Sequence, residues 1–235
     1  MYDKAATYYD KLYTWKDYAG EAAHLHGLVQ LNKQTEEVDL LDVACGTGGH
    51  IPYLGLHYQV EGLDLDGEML AVARQRFPDV TFYQGDMRNF DLGKSYDVIT
   101  CLFSAIAHTV TLDNLQQAFN TFYKHLKPGG VALVEGFIQP EVWEDRHVGG
   151  LFVDEPELKI TRMNRSEREG NVVKAVFHYL VGTPDSIDYF TEDHQLALFS
   201  DDEYLHALRS AGFEAKAAGS GLMAERSLFI GLRPL

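Results

Sequence analysis

The sequence is poor in cysteine and contains no long apolar run. Its two cysteines, Cys45 and Cys101, stand in separate apolar stretches. This usage indicates reduced thiols in a cytoplasmic protein, because small secreted domains are commonly stabilised by disulfides. The longest near-apolar run, residues 98–107, is too short to cross a bilayer, and the first residues lack the basic and apolar regions of a signal peptide. We therefore expect a cytoplasmic protein without a membrane segment.

Positive charge is also scarce. The chain has 20 lysines and arginines against 35 aspartates and glutamates, which gives a formal net charge of −15. Non-specific binding of nucleic acid needs a basic surface, so nucleic acid is not an expected partner. The apolar fraction of 46% is ordinary for a globular core. At 235 residues, a single α/β domain with an elaboration is the expected organisation.

Four segments are expected within this single domain. They are a helical lid (residues 1–35), a core (36–140), an antiparallel insert (141–200) and a closing helix with a hairpin (201–235). In the core, helices alternate with expected strands at 39–44, 58–64, 80–84, 96–103 and 131–137. This alternation predicts a Rossmann-like, doubly wound sheet. Strand-like stretches at 158–166, 172–181 and 187–199 predict an inserted antiparallel β meander.

The first expected strand leads into a glycine-rich loop that runs from Ala44 and Cys45 through Gly46 to Gly48. Glycine tolerates positive φ and has no Cβ, so a ligand can approach the backbone closely. Ligands of open α/β sheets bind beyond the carboxyl ends of the strands. A dinucleotide motif needs a third glycine where this chain has Ile51, and the Gly-Lys-Ser/Thr of a P-loop is missing.

Charge distinguishes between the remaining cofactors. Asp42 stands just before the loop and would repel a pyrophosphate, whereas it suits a ligand with an amine and a sulfonium. This favours S-adenosyl-L-methionine (SAM). Asp64, at the end of the second strand, can accept both hydroxyls of a ribose; its alternative role is a helix N-cap, for which Asp66 is better placed.

The third strand ends in Gly85-Asp86-Met87. Asp86 can accept from an exocyclic amine while Met87 offers an amide and a soft apolar surface, which is what an adenine needs. The alternative is a simple Gly-Asp turn.

Taken together, these motifs resemble the class I SAM-dependent methyltransferases. They comprise Asp42-x-Ala44-Cys45-Gly46-Thr47-Gly48, Gly62-Leu63-Asp64, Gly85-Asp86-Met87 and Leu126-Lys127-Pro128-Gly129-Gly130. A closer resemblance, over nearly the whole chain, is to N,N-dimethyltransferases of TDP-linked amino sugars of the desosamine and mycaminose type. Its additional matches include Tyr9-Asp10-x-x-Tyr13, Lys16-Asp17-Tyr18, Ile160-x-Arg162, His178 and Leu228-Phe229-Ile230-Gly231.

The resemblance implies a class I methyltransferase fold, SAM as cofactor, an aromatic N-terminal lid and transfer of methyl groups to a small-molecule amine. Tyr18 is expected against the carboxylate of SAM, and Leu65, Met69 and Phe103 are counted with the cofactor residues. Segments 136–140 and 219–226 depart from the sugar enzymes, so the acceptor stays open. A projecting antiparallel sheet would suit a homodimer interface.

His108 is the candidate catalytic base. It follows the fourth strand, it matches a histidine of the amino-sugar enzymes, and a near-neutral pKa would suit taking a proton from an ammonium. The alternative is a loop histidine with a structural hydrogen bond. Tyr13 is expected to orient the acceptor from the lid, with simple packing as its alternative.

A basic group in this acidic chain comprises Lys159, Arg162, Arg165, Arg168 and Lys174. One interpretation is a clamp for the diphosphate of a nucleotide-sugar acceptor, and the other is surface pairing with neighbouring glutamates. The expected substrate-binding residues are Arg162, Arg168, His178 and Arg226.

Other functions remain open at this point. One is an O- or C-methyltransferase of another small metabolite, and another is a non-catalytic SAM-binding module. A nicotinamide dehydrogenase is disfavoured by Ile51 and by the antiparallel end of the chain. No metal site is expected.

Overall fold

The computed structural model describes residues 5–235, apart from the side chain of Ser220. Residues 1–4, which the sequence analysis assigned to the lid, lie outside the described residues. Within the described range the strands are β1 (Asp39–Val43), β2 (Gln59–Asp64), β3 (Phe82–Gln84), β4 (Tyr96–Cys101), β5 (Leu126–Ile138), β6 (Val148–Glu155), β7 (Leu158–Glu169), β8 (Val172–Gly182), β9 (Ile187–Ala197), β10 (Glu214–Ser220) and β11 (Arg226–Leu232).

The helices of the same range are α1 (Tyr9–Leu12), α2 (Tyr18–Asn32), α3 (Ile51–Leu54), α4 (Gly67–Arg76), α5 (Leu112–His125) and α6 (Asp201–Ser210), with 3-10 turns at Ala6–Tyr8 and Ala105–Thr109. Polar side chains fix where several of them begin. Asp66 accepts hydrogen bonds from the first amides of α4, and Ser200 forms a capping box with Glu203 at the beginning of α6.

The larger sheet has the strand order β10-β11-β5-β4-β1-β2-β3. The strands from β5 to β3 run parallel, and β11 and β10 extend the β5 edge as an antiparallel hairpin. This is the expected doubly wound sheet with its closing hairpin. Because parallel strands end at one edge, the motifs that follow β1, β2, β3 and β4 are brought together there.

Helices cover both faces of this sheet. Leu41 and Val43 of β1 pack in the core formed with α5 and α6, whereas Leu40 packs in the core formed with α2 and α3. A strand that is buried on both faces reads as a nearly continuous apolar run. This explains why the buried residues 40–43 of β1 are apolar except for Asp42.

The second sheet consists of β6, β7, β8 and β9, each antiparallel to its neighbour. Its inner face carries Ile160, Tyr179 and Val181, which pack with Leu12 of α1. The 3-10 turn after β4 packs against β9. The lid and the second sheet therefore enclose a space at the carboxyl ends of the parallel strands.

Three elements differ from the sequence predictions. After the first strand the alternation predicts a helix at 48–57, and the structure has only the short α3 there because the glycine loop extends to His50. The strand expected at 131–137 begins earlier, at Leu126, as β5. Residues 127–130 form an irregularity within it, since Tyr96 pairs with Leu126 and Val98 with Val131. β6 was not predicted. Within residues 5–235 no helix is both long and apolar enough to span a membrane.

Candidate functional site

A cavity of about 720 Å³ opens at the carboxyl ends of the parallel strands. Its walls come from the glycine loop, the lid, the turn after β4, the inner face of the second sheet and the beginning of β11. Cavities of this size, at this edge of an α/β sheet, hold cofactors and small substrates. Most of the predicted site residues therefore meet in one place.

The glycine loop forms the floor at the end of β1. Ala44 and Gly46 have a φ of 57°, and Gly48 has a φ of 80°. Gly46 lines the cavity with Ala44 and Cys45, and a Cβ on Gly46 would meet no atom within 4 Å. Gly48 does not line it, because it faces inwards, where a Cβ would lie 3.0 Å from the Phe77 ring. Gly48 thus allows the backbone conformation of the loop without lining the cavity itself.

Gly49 was missed by the sequence analysis. It lines the cavity, and a Cβ placed on it would lie 2.6 Å from the ring of Tyr18. The lid therefore comes as close to the loop as a glycine allows. The run Gly48-Gly49 was a signal of this close approach.

A buried carboxylate, Asp42, and a half-buried one, Asp64, stand beside the loop. Asp42 accepts a hydrogen bond of 2.7 Å from the Thr100 hydroxyl, and Asp64 accepts from the amides of Gly46 and Asp66, each at 2.8 Å. Burial raises the pKa of both carboxyl groups, and the charge of Asp42 adds to the effect on Asp64. A cation bound nearby would stabilise the ionised form of both carboxyl groups, whereas an anion would destabilise it further.

The helix-cap alternative for Asp64 does not describe this structure, because Asp66 accepts from the first amides of α4. The carboxylate of Asp64 is instead held by the loop on one side and by the beginning of the next turn on the other. Leu65 and Met69 line the cavity next to it.

Gly85, Asp86 and Met87, which follow β3, also line the cavity. Asp86 is paired with Arg88, whose Nε lies 2.9 Å from each carboxylate oxygen. This hydrogen bonding lowers the pKa of Asp86 and keeps the carboxylate ionised. Asp86 is therefore a half-buried, ionised carboxylate of fixed orientation in the cavity wall.

The lid closes the cavity through three tyrosines, Tyr9, Tyr13 and Tyr18. The Tyr13 ring meets the Phe103 ring edge-on, with centroids 5.2 Å apart. Burial, with Asp10 nearby, raises the pKa of Tyr18, so its hydroxyl stays protonated and can donate. Asp10 ties the lid to the loop by accepting from the Thr47 hydroxyl and from Arg76, each at 2.7 Å.

A buried charged cluster beneath the lid was not assigned a role from sequence. Glu21 accepts from Lys16 and lies 2.7 Å from His50 Nε2. Burial opposes ionisation of Glu21, but hydrogen bonds from His50 and Lys16 lower its pKa overall. The Lys16 ammonium also lies 4.4 Å from the centroid of the Phe103 ring. The cluster anchors the beginning of α2 to the loop.

The turn that carries His108 is strained. Phe103, Ser104 and Val110 all have φ between 54° and 64°, a region that non-glycine residues seldom occupy. The Phe103 amide donates to Glu135, and the Ser104 hydroxyl donates to the Gly136 carbonyl at 2.6 Å. Strain held in this way is common at functional sites.

His108 lines the cavity, and its side chain is exposed to the space inside it, with other protein groups of the cavity wall around that space. Burial, with the charge of the neighbouring His194, lowers the pKa of His108 to about 4. The imidazole is therefore neutral near pH 7 and can accept a proton. The His194 ring centroid lies 5.8 Å away.

Two arginines reach the same part of the cavity. Arg162 donates to the Tyr13 hydroxyl at 2.7 Å, and Arg226 lies 5.2 Å from the Phe103 ring centroid. Burial lowers the pKa of Arg226, and Glu135 opposes this. Within residues 5–235, Arg162 Nε and Arg226 Nη1 are buried without a hydrogen-bond partner. Both guanidinium groups thus retain donors for a ligand.

The other expected substrate residues lie elsewhere. Arg168 donates to the carbonyls of Pro140 and Gly170, away from the cavity. His178 is exposed on the outer face of the second sheet, where its Nδ1 lies 2.7 Å from the Tyr189 hydroxyl. The structure therefore does not bring these two residues together with Arg162.

The remaining members of the basic group pair at the surface. Lys159 pairs with Asp154, Arg165 with Glu167, and Lys174 with Glu169. The five-residue clamp predicted from sequence is thus not assembled at the cavity. Arg226, from the other end of the chain, stands with Arg162 instead.

The two cysteines are buried and free. Burial raises the pKa of both thiols, and the nearby carboxylates Asp42 and Asp64 add to the shift. Neither thiol is therefore activated as a nucleophile.

Comparison with known proteins agrees with this geometry. Residues 40–130 match the family model described as a methyltransferase domain. The dTDP-3-amino-3,6-dideoxy-alpha-D-glucopyranose N,N-dimethyltransferase of Streptomyces fradiae is 39% identical, over 92% of this chain and 85% of that protein. The dTDP-4-amino-2,3,4,6-tetradeoxy-D-glucose N,N-dimethyltransferase of Saccharopolyspora spinosa is 38% identical, over 97% of this chain and 92% of that protein.

Solved structures give the same result. DesVI of Streptomyces venezuelae superposes with a TM-score of 0.90 at 36% identity, covering 98% of each chain. SAM-bound CalS10, an amino pentose methyltransferase from Micromonospora echinaspora, superposes with a TM-score of 0.81 at 37% identity, covering 93% of this chain and 92% of that one. The chain is therefore a SAM-dependent methyltransferase and belongs to the family of the amino-sugar N,N-dimethyltransferases.

Proposed function

We propose that this enzyme methylates the amine of a nucleotide-linked amino sugar. The observation that carries the proposal is that the glycine loop and Asp64 line the same cavity as His108, Arg162 and Arg226. The relatives named above act on dTDP-linked amino sugars, which supports the same class of acceptor.

The residues of the first part fit SAM. When bound, SAM supplies a methyl group that its sulfonium activates for transfer. Asp64 is proposed to accept from the ribose hydroxyls, and Asp42 to provide negative charge beside the cationic part. The protonated hydroxyl of Tyr18 suits the carboxylate of the methionine moiety. The remaining proposed contacts are Ala44, Cys45, Gly46, Leu65, Met69 and Phe103.

The adenine is proposed to lie at Gly85-Asp86-Met87. The carboxylate of Asp86 can accept from the exocyclic amine, and Met87 can offer its amide and an apolar surface. The pairing of Asp86 with Arg88 keeps that carboxylate ionised and in place.

At the acceptor end, His108 is proposed to accept a proton and Tyr13 to align the amine. An amine attacks with its lone pair, so it must be neutral, and the methylated nitrogen must afterwards lose a proton. His108 is neutral near pH 7 and can accept that proton. Tyr13, fixed by Arg162, is proposed to align the amine.

Arg162 and Arg226 are proposed to hold the diphosphate of the acceptor. Each has a buried donor nitrogen without a partner within residues 5–235. Guanidinium donors suit phosphate oxygens, and a diphosphate would satisfy both side chains at once. Of the five basic residues that one interpretation of the sequence placed in a clamp, only Arg162 belongs to this proposed site.

The function is tested by incubating the enzyme and SAM with dTDP-linked amino sugars that carry the amine at different ring positions. Release of S-adenosylhomocysteine, with a product heavier by one or two methyl groups, is the expected result. The matched control is the same nucleotide sugar with a hydroxyl in place of the amine. Methylation of the hydroxyl analogue would favour an O-methyltransferase, and SAM binding without turnover on any acceptor would favour a non-catalytic module.

We also propose that the protein forms a homodimer through the outer face of the second sheet. Phe152, Leu180 and Tyr189 lie in one cross-strand row on that face and are 71%, 50% and 63% exposed. Exposed apolar patches mark interaction surfaces, and a second copy could cover this one isologously. Light scattering should give the mass of a dimer, and Leu180→Lys should give a monomer.

The two buried, unpaired cysteines support a cytoplasmic location, where thiols stay reduced. Fractionation of the producing cells tests this, and recovery of the enzyme outside the cytoplasm would contradict it.

A further inference from the structure

The lid helix α1 is attached to two different parts of the molecule. Its residue Leu12 packs with Ile160, Tyr179 and Val181 on the inner face of the second sheet. Its residue Asp10 instead bonds to the glycine loop and to the end of α4. The second sheet thus holds α1 through a buried apolar contact, whereas the contact with the glycine loop depends on a carboxylate.

Asp10 accepts a hydrogen bond on each of its carboxylate oxygens. The Thr47 hydroxyl donates to Oδ1 at 2.7 Å, and Arg76 Nη1 donates to Oδ2 at 2.7 Å. Arg76 Nη1 also donates to the Thr47 carbonyl at 2.9 Å. The three side chains, from α1, the glycine loop and α4, therefore form a closed ring of hydrogen bonds, which we call the latch.

The charged members of the latch lie outside the cavity. Thr47 lines the cavity and is 2% exposed, but Asp10 and Arg76 do not line it. Their side chains are 37% and 35% exposed. None of the three hydrogen bonds uses an atom of the cofactor, so the latch can form in the free enzyme and in the complex with SAM alike.

The latch holds the lid close to the loop. The lid tyrosines Tyr9, Tyr13 and Tyr18 line the same cavity as the glycine loop. The ring of Tyr18 comes so near to Gly49 that a Cβ on this glycine would lie 2.6 Å from it. At this point no space remains between lid and loop for a molecule of the size of SAM to pass. The lid must therefore move away from the loop when the cofactor is exchanged there.

We propose that Asp10 and Arg76 are positioning residues that control the exchange of the cofactor: the latch holds the lid against the glycine loop, and its opening lets SAM enter and S-adenosylhomocysteine leave. Each methyl transfer converts one SAM into one S-adenosylhomocysteine, so every turnover includes this opening. Leu12 keeps α1 docked on the second sheet while the latch is open. Lid movements of this kind set the turnover rate of many enzymes.

The energetics of the two attachments favour opening at the latch. The ion pair between Asp10 and Arg76 is more than a third exposed, so water screens its charges and it contributes little by itself. The buried Thr47 hydroxyl adds one hydrogen bond to a charged group. Leu12, by contrast, is 4% exposed, and separating it from the second sheet would expose apolar surface to water. The latch is therefore the attachment that breaks first.

A latch that forms with and without the cofactor has a distinct kinetic signature. Weakening it raises the open fraction of the free enzyme and that of the complex by the same factor. The association and dissociation rate constants of SAM then rise together, and the dissociation constant hardly changes. A residue that only stabilises bound SAM would instead change the dissociation rate constant and leave the association rate constant as it is.

The test is Asp10→Asn, which keeps the shape of the side chain and removes its charge. Stopped-flow tryptophan fluorescence follows the binding of SAM and its displacement by excess S-adenosylhomocysteine. Both rate constants should rise about ten-fold, as expected when a hydrogen bond to a charged group is weakened, and the dissociation constant should stay within a few-fold. Lys11→Gln is the matched control. Lys11 is the next residue of α1 and pairs with Glu155 of the second sheet at 2.8 Å, so its loss should leave both rate constants unchanged.

Arg76→Met removes the other charge of the latch and should act in the same direction. In the double variant the two effects should not multiply, because both changes break the same ion pair.

Unchanged rate constants in Asp10→Asn would overturn the proposal, as would effects that multiply in the double variant. Faster dissociation with an unchanged association rate constant would overturn it too, because Asp10 would then only stabilise the bound cofactor. If Asp10→Asn does not fold, Arg76→Met decides by the same two rate constants. The measurement needs no acceptor, so its result is independent of the proposed amino-sugar substrate.

Discussion

Arg162 donates a hydrogen bond of 2.7 Å to the hydroxyl of Tyr13, 149 residues away in the sequence. This bond joins the second sheet to the lid, and both residues line the cavity. The Arg162 guanidinium also lies 4.9 Å from the Phe177 ring centroid, so its own position is fixed by the sheet. The inserted sheet thus orients a lid residue at the proposed site of reaction.

Tyr13→Phe should therefore raise KM for the nucleotide-sugar acceptor and lower kcat. Removing one partner of a buried hydrogen bond to a charged group costs about 1.5–3 kcal/mol, which corresponds to roughly ten-fold or more in kcat/KM. The dissociation constant of SAM, measured by calorimetry, should stay within a few-fold. Tyr53→Phe, at an exposed position on α3, is the control. An unchanged kcat/KM would show that Tyr13 only packs.

Gly49→Ala should weaken SAM binding by about ten-fold or more, because the new Cβ would meet the Tyr18 ring at 2.6 Å and push the lid away. Gly27→Ala is the control, since a Cβ there meets nothing within 4 Å in helix α2 and should slightly stabilise the protein. Both variants are compared by calorimetric SAM binding. Equal affinities for SAM would mean that the contact between Gly49 and Tyr18 does not shape the site.

Much of the cofactor end could be predicted from sequence because it is built from strand ends. Asp42, Asp64 and Asp86 each follow or close a short parallel strand, so local pattern and topology together place them at one edge. The fold class follows from the same alternation. The prediction needed no knowledge of long-range contacts beyond the order of the sheet.

The residues at the acceptor end were harder to predict. Their positions depend on which face of a strand each side chain occupies and on contacts between segments far apart in sequence. In β8 the odd-numbered residues Val173 and Tyr179 face the core, so His178 faces outward. Arg168 lies beyond the edge of the cavity, although it stands on the same strand as Arg162. Arg226 reaches the cavity only because β11 pairs with β5. None of these relationships is local.

β6 and the pairing of His194 with His108 were missed for related reasons. β6 begins with Val148-Gly149-Gly150, and glycines weaken a strand pattern. His194 follows two acidic residues and precedes a glutamine, and such a polar run is typical of a solvated face. Its burial comes from the turn after β4, a contact between segments about 86 residues apart.

Asp64→Asn should raise the dissociation constant of SAM by roughly ten- to a hundred-fold, because the amide keeps the shape of the side chain but loses the charge that accepts from ribose hydroxyls. Calorimetry with SAM measures this. Asp185→Asn, in the exposed turn between β8 and β9, is the matched control. If Asp64→Asn bound SAM as the wild type does, the ribose assignment would be wrong.

His108→Ala should lower kcat by about a hundred-fold and leave SAM affinity within a few-fold, because general base catalysis contributes about 10²–10⁴. The measurement pairs steady-state turnover on an amino-sugar acceptor with calorimetric SAM binding. A variant with unchanged turnover would remove the catalytic role of His108. Loss of SAM affinity together with turnover would instead indicate that the turn after β4 had collapsed.

Stability should also depend on His108. Its folded pKa of about 4 lies below the ordinary value of 6.5, so the unfolded chain binds the proton more tightly. Neutral His108 should therefore leave the folded state at its full stability above about pH 6.5. The free energy of unfolding should decrease progressively as the pH falls from there through 4. Urea denaturation between pH 4 and pH 7 measures this dependence, and His108→Gln should flatten it while His206→Gln should not. An identical slope in the wild type and in His108→Gln would mean that His108 does not titrate differently in the folded and unfolded states.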